Sequence, residues 1–408
     1  MKAVDPSATV PSDEAGPAAA SADGGAAVTA DDPARRVAFL DVARAVAMVG
    51  VVMMNAHTIV FAAERLGERD QSAAASAVDA VLGLLMAGKA RAMLMVLLGV
   101  GAALAWRAAE RRGGRPMALM LRRYAVLGVL FGVPHLLVFP GDILTHYALT
   151  ALVLAPLMPF LLGGAESAFW FAVAAFSAAP LLEYLAGTVG SRTEGDVLVT
   201  LVPQTLGFFC VGLWLAHRPE LAPEAAEGPS RLPLRMVWTG LVGQVLGLAV
   251  LYGSDLLFPM ETDAAGAPVH LTSEGMPVVA PGAEMMVSFS GTLTGLGGAL
   301  FFLGLVWWLV RRNGPTSRAL GALAPLGRMT LSVYLGSTAV FLLTMKPFEG
   351  EIPLMAQYGI GVAYFVLVFF LARWWLRAFR LGPLEWVWRR LTHLRPIPMR
   401  RGEGVHAA

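Results

Sequence analysis

The side chains best suited to chemistry sit in one short stretch. It reads Pro134-His135, then Pro140-Gly141-Asp142-Ile143-Leu144-Thr145-His146-Tyr147. Pro140-Gly141 makes a tight turn between two apolar runs, so His135 returns to the level of Asp142 and His146. On a helix Asp142 and His146 are i,i+4, a spacing at which a carboxylate can orient an imidazole. An oriented imidazole is a general base for acyl or proton transfer. Asp142 as the N-cap of a polar helix start is the structural alternative. Three titratable groups and Tyr147 at one turn exceed what a cap requires, and both readings stand.

A second group lies on the first apolar run: Asp41, Arg44, Asn55 and His57. Asp41 and Arg44 are i,i+3 and can pair, either as an interfacial anchor or as a binding device. Asn55 returns to within about 20° of the face of Arg44, whereas His57 points elsewhere. Asp41 and Asn55 are separated by roughly 21 Å along a helix axis, so they belong near opposite membrane surfaces. Lys89 and Arg91 open a later run, where long basic side chains are expected to snorkel to the interface. Arg328, in Gly327-Arg328-Met329, is either such an anchor or an anion ligand.

The elements that must position these groups are membrane helices. Of 408 residues, 56% are hydrophobic and only 15% charged, against roughly 25% charged in soluble domains. Mean hydropathy is +0.63. Ten apolar runs approach or exceed the ~20 residues that span a bilayer: 37–63, 91–109, 118–138, 142–163, 167–186, 196–217, 233–258, 283–310, 323–345 and 354–380. A shorter stretch, 74–88, is either an eleventh span or an interfacial helix. No recurring period-2 alternation points to a barrel. The expected fold is all-α, a polytopic integral membrane bundle of about ten, possibly eleven, transmembrane helices.

Residues 1–34 contain no Leu, Ile or Phe and carry Asp5, Asp13, Glu14, Asp23, Asp31 and Asp32 against a single Lys2. Such a segment reads as a disordered acidic tail and lacks the pattern of a secretory signal. One transmembrane domain is expected over 35–392, and a basic tail over 393–408. Arg and Lys cluster on alternate connections, around 35–36, 111–123, 218–235, 311–318 and after 373, while 259–282 carries Glu261, Asp263 and Glu274 and no Lys or Arg. By the positive-inside rule both termini face the cytoplasm, across what is expected to be a bacterial inner membrane. The partners implied are the lipid bilayer and a small-molecule substrate. A net charge of +2 excludes a nucleic-acid binder with a dense basic face. The single Cys210 excludes a disulfide scaffold, and no His spacing demands a metal. Oligomeric state is not encoded in any pattern here.

Several short motifs, in order, resemble one family. They are Leu40-Asp41-x-x-Arg44 with Gly50 and Asn55, Leu97-Leu98-Gly99-Val100-Gly101, Gly141-Asp142-Ile143-Leu144 with Tyr147-Ala148, Gly327-Arg328-Met329 with Leu331 and Tyr334, and Gly382-Pro383-Leu384-Glu385-Trp386. They look like the YeiB-like bacterial multi-spanning proteins, known as domain of unknown function 418. That resemblance implies a family without a settled activity, suspected of transport. It also implies a distant similarity to membrane acyltransferases of the acyltransferase-three and heparan-glucosaminide acetyltransferase groups. Ala45 stands where the family usually has Gly, and Asn55 where the acyltransferase-three group has its His.

Two functions follow as expectations. An acyltransferase needs a base for the acceptor and donors for the developing oxyanion. A cytosolic acyl-CoA would be its co-substrate, with no bound cofactor. His146 or His135, with His57 as a further candidate, would be the base and Asp142 its orienter. Arg44 and Arg328 would hold the donor, with Asp41, Asn55, Arg91 and Tyr147 completing the binding set. A transporter of a small molecule is the alternative, because ionisable groups within spans mark translocation paths equally well.

Overall fold

The computed structural model describes residues 38–58, 72–139, 141–189, 194–221, 230–263, 269–270, 278–312, 314–348 and 352–401. Among these the chain forms helices α1 (Ala38–Thr58), α2 (Ala73–Met86), α3 (Lys89–Arg111), α4 (Pro116–Val126), α5 (Val133–Val138), α6 (Leu144–Leu154), α7 (Met158–Gly163) and α8 (Ala165–Val189). They continue as α9 (Glu194–Leu215), α10 (Leu232–Leu257), α11 (Pro281–Val310), α12 (Pro315–Gly321), α13 (Ala324–Gly327), α14 (Thr330–Thr344), α15 (Leu354–Ala378) and α16 (Pro383–His393). The tail 1–34, the bases Arg35 and Arg36, and Glu274 of the acidic connection lie outside the described residues.

The fold is an all-α polytopic bundle. Nine helical segments among the described residues are long and apolar enough to cross a membrane. The remaining expected run is α9, whose apolar stretch Val202–Leu215 is shorter. α2 has 14 residues, about 21 Å of helix at 1.5 Å per residue, which is short of the ~30 Å hydrocarbon core. Gly88, with φ of 71°, separates it from α3. Large apolar side chains cover the outside, among them Leu256, Leu137, Val129 and Trp170, as a lipid-facing surface requires.

Prolines break the expected runs where a missing amide interrupts the i→i−4 ladder. Pro134 follows a π-helical segment, Leu127–Gly132, that links α4 to α5. Pro156 and Pro159 accompany the 3₁₀ turn between α6 and α7. α1 and α3 form the centre: Ala43, Ala45, Val52, Ala92, Met95, Val96, Val100 and Ala102 are fully buried. Lipid tails are as apolar as leucine, so helix association here depends on close packing at small residues. Gly99 and Gly212 provide it between α3 and α9. A Cβ at Gly99 would stand 2.2 Å from the Phe209 carbonyl oxygen, and one at Gly212 would stand 2.1 Å from that of Val96.

One end of the bundle is closed by the C-terminal segment. Glu385 of α16 accepts from the Ser332 amide at 3.0 Å and the Ser332 hydroxyl at 2.6 Å, capping the first turn of α14. Gly382 leaves room for it, since a Cβ there would lie 2.1 Å from Glu385 Oε2. Residues 394–401 do not trail away: the Arg380 amide donates to Met399 O, and that of Arg401 to Ala378 O. The Trp386 indole donates to Ile397 O at 2.8 Å.

Candidate functional site

The motif residues gather at two ends of α1. At the Asn55 end, the turn after α5 is held by the Phe139 amide on His135 O and the Asp142 amide on Phe139 O. This folds His135 back onto the start of α6. His135 Nδ1 lies 2.6 Å from Asp142 Oδ1, and its Nε2 lies 2.9 Å from Thr338 Oγ1 of α14. Asp142 Oδ1 also accepts from the Leu144 amide at 3.0 Å, and Oδ2 from the Thr145 amide at 2.7 Å. Burial pushes the Asp142 carboxyl up, but the hydrogen bonds from His135, Thr145 and Leu144 outweigh it and hold it below the usual carboxylate range. An ionised carboxylate only accepts, so Nδ1 carries the ring proton and Nε2 accepts from the Thr338 hydroxyl. His135, Asp142 and Thr338 are 4%, 2% and 2% exposed.

The sequence pairs Asp142 with His146; the structure pairs it with His135. Both carboxylate oxygens are occupied by His135 and the first amides of α6. His146 Nδ1 turns instead to the main-chain carbonyl of Asp142, at 2.9 Å. Capping and imidazole orientation are therefore performed by the same carboxylate.

Tyr334 covers the relay, its ring centroid 4.9 Å from that of His135. Its hydroxyl receives the Ile143 amide at 3.4 Å, and Asn55 bears on the same hydroxyl. Asn55 Nδ2 is buried with no hydrogen-bond partner among the described residues. The side chain of His57 lies outside the described residues. Beside this group, Tyr147 donates its hydroxyl to Arg91 O at 2.9 Å. Arg91 donates to Gln204 Oε1 at 2.9 Å, and Gln204 Nε2 to Thr292 Oγ1 at 3.1 Å. Arg91 thus joins α3, α9 and α11 instead of snorkelling. Lys89 is also buried, its stem packed on Gly298 of α11.

At the Asp41 end, Arg44 Nη1 pairs with Asp41 Oδ1 at 2.9 Å. A Cβ on Gly327 would stand 1.6 Å from the Asp41 carbonyl oxygen, so α13 presses directly on the α1 backbone. Arg328 Nη2 donates to Arg380 O at 2.7 Å. The Gly327-Arg328 and Gly382–Trp386 motifs therefore meet each other and form a clamp. A shallow, open groove is bounded by Trp106, Arg115 and Pro159. A cavity of about 340 Å³ is bounded by Ser332, Gly336, Tyr364 and Trp375. Neither is lined by the His135 relay.

Thr338 is the one member of this buried group that no sequence motif marked. Its signal was its place four residues after Tyr334, on the same helix face. Among the described residues no group of three or more His, Cys, Asp or Glu is arranged to hold a metal ion.

The fold and site define a class: a helical, membrane-type polytopic protein with a buried carboxylate–imidazole–hydroxyl relay. Residues 264–395 match the family model DUF418, described as a protein of unknown function. The "Uncharacterized 39.9 kDa protein in amylase 3'region" of Bacillus acidopullulyticus is 26% identical over 381 residues, covering 89% of this chain and 96% of its own. "Uncharacterized protein YxaH" of Bacillus subtilis is 25% identical over 393 residues, covering 88% and 94%. No solved structure matches.

Proposed function

We propose that this protein is a membrane-embedded acyltransferase that moves an acyl group from a cytosolic acyl-CoA to a small hydroxyl or amine acceptor. The observation that carries this reading is the buried Asp142–His135–Thr338 relay. It holds one imidazole nitrogen protonated and leaves the other as a base. The acceptor takes the position of the Thr338 hydroxyl beside Nε2. Nε2 removes the acceptor proton as its oxygen or nitrogen attacks the thioester carbonyl. The carbon–sulfur bond then breaks, and the imidazolium returns the proton to the departing thiolate. Asp142 stabilises the imidazolium without taking its proton. Asn55 Nδ2, buried beside the Tyr334 hydroxyl, is the donor for the carbonyl oxygen as negative charge develops there.

Arg44, at the opposite end of α1, holds the polyanionic donor, and Arg328 keeps the clamp beside it in place. Arg91 and Tyr147 fix α3 against α6 behind the relay, and Asp41 orients Arg44. The Asp41 end faces the cytoplasm of a bacterial cell, as do both termini. Arg on aromatic rings supports this sidedness: Arg218 lies over Trp214, Arg312 over Trp308 and Arg373 over Phe369, each near the C-terminal end of a long helix.

The test is CoA release by purified protein with a panel of amines and sugars as acceptors. His135→Ala and Asp142→Asn lower turnover by roughly 10²–10⁴, while His146→Ala retains it. Unchanged turnover in His135→Ala overturns the assignment. The π-helical segment immediately before α5 favours one other reading. Such segments often mark moving functional sites, and a transporter would use His135 as a proton relay. Substrate flux into proteoliposomes without chemical change would select it.

A further inference from the structure

Cationic side chains also converge where α3, α4 and α16 meet, away from the relay. The Trp388 indole donates to Arg123 O at 2.8 Å, tying α16 to α4. The Arg123 guanidinium lies 4.3 Å over the Trp388 ring, and its Nε is buried with no hydrogen-bond partner among the described residues. Arg389, Arg123, Arg112 and Arg122 all bear on His393, and after burial they are what holds its imidazole below the usual value. Among the described residues, the nearby carboxylates each have a partner outside this cluster. Glu110 accepts from Trp106 at 2.7 Å, Asp41 pairs with Arg44 and Glu385 caps α14. A crowd of like charges around a buried, unpartnered N–H is costly unless an anion completes it.

We propose that Arg123, Arg389, Arg122, Arg112 and His393 form a binding site for a phosphate-bearing anion. Planar guanidinium forks match phosphate oxygens bidentately. Trp388 beneath Arg123 fixes one fork in advance, so less side-chain entropy is lost on binding. α16 carries Trp386 and Trp388 beside its arginines, the composition of an interfacial helix. The site is accordingly reachable by an anionic phospholipid headgroup or by a soluble phosphate compound. It does not depend on the acyltransferase reading.

The experiment uses the purified full-length protein in detergent. Binding of phosphatidylglycerol against phosphatidylcholine is read by native mass spectrometry, and inorganic pyrophosphate is titrated calorimetrically. Arg122→Gln and Arg389→Gln are the test variants. They spare the Arg123–Trp388 stack, which holds two helices together. Arg390→Gln, on the exposed side of the same helix over Trp386, is the control. At least one probe binds wild type, and each test variant weakens it about 10-fold, the value of one charge-assisted contact. Selective retention of phosphatidylglycerol identifies the lipid source, and pyrophosphate binding without lipid preference identifies the soluble one; either supports the site. Binding of neither probe overturns it, and so does equal weakening by Arg390→Gln.

Discussion

Asp142→Asn tests the relay most directly. The carboxylate accepts from His135 at 2.6 Å, Leu144 at 3.0 Å and Thr145 at 2.7 Å. Asparagine offers one acceptor oxygen and one amide NH₂, which only donates. Whichever way it is oriented, the NH₂ faces a backbone N–H or the His135 Nδ1–H. Hydrogen bonds to a charged group contribute ~1.5–3 kcal/mol, and an unsatisfied buried donor costs ~1–3 kcal/mol. The expected loss of stability is therefore about 2–4 kcal/mol, read as a lower Tm in detergent. His135 escapes part of that cost by moving its proton to Nε2, where Thr338 can turn to accept. That tautomer has no base left for an acceptor, and turnover falls by roughly 10²–10⁴, the usual contribution of general base catalysis. The acid side of the stability profile changes as well. Because its folded value is depressed, the Asp142 carboxyl contributes stability that is complete above its ordinary value near 3.9 and is lost as pH falls through the lower folded value. The variant lacks that decline below about pH 4. A Tm and a turnover both equal to wild type would refute the reasoning.

Other expectations follow from packing. Glu385→Ala leaves the Ser332 amide without its acceptor and should cost about 1–3 kcal/mol, seen as earlier cleavage at α16 in limited proteolysis. Gly327→Val cannot be accommodated against Asp41 O, and membrane-integrated protein should be lost from expressing cells, as judged by detergent extraction and size-exclusion profile. Gln204→Leu leaves Arg91 without its side-chain acceptor and should lower stability by about 1.5–3 kcal/mol. Arg91→Met combined with Gln204→Leu should recover part of it, so a double variant less stable than the single one counts against a coupled pair. His393 has its folded value lowered by burial and then by Arg389, Arg123, Arg112 and Arg122, so its contribution to stability is lost as pH falls from about 6.5 through that lower value. His393→Gln should flatten this part of the thermal-unfolding profile.

The membrane helices were legible because span length is set by the bilayer and hydrophobic runs report it directly. The broken ones were less so. Whether Pro134 kinks a helix, ends it or widens it to a π turn depends on neighbours such as Thr145, which presses on Gly132. The Asp142 turn was legible as a concentration of polar groups, but its pairing was not. An i,i+4 rule sees His146, whereas His135 reaches Asp142 only through the reversal at 139–142. Thr338 is 203 residues from His135, and no local period connects them. Arg328 and Glu385 stood out as motif residues, yet their partners, Arg380 O and Ser332, lie 52 and 53 positions away.

The clamp between Glu385 and Ser332 also constrains how the molecule is assembled. Translation delivers α14 to the bilayer about fifty residues before the side chain that caps it. During that interval the first turn of α14 has exposed amides, and Arg328 has not yet met Arg380 O. Docking of α16 thus acts as a latch: until it occurs, the nascent bundle stays open to rearrangement or to membrane proteases. A released chain ending before Pro383 would keep every long span and leave the closing step undone.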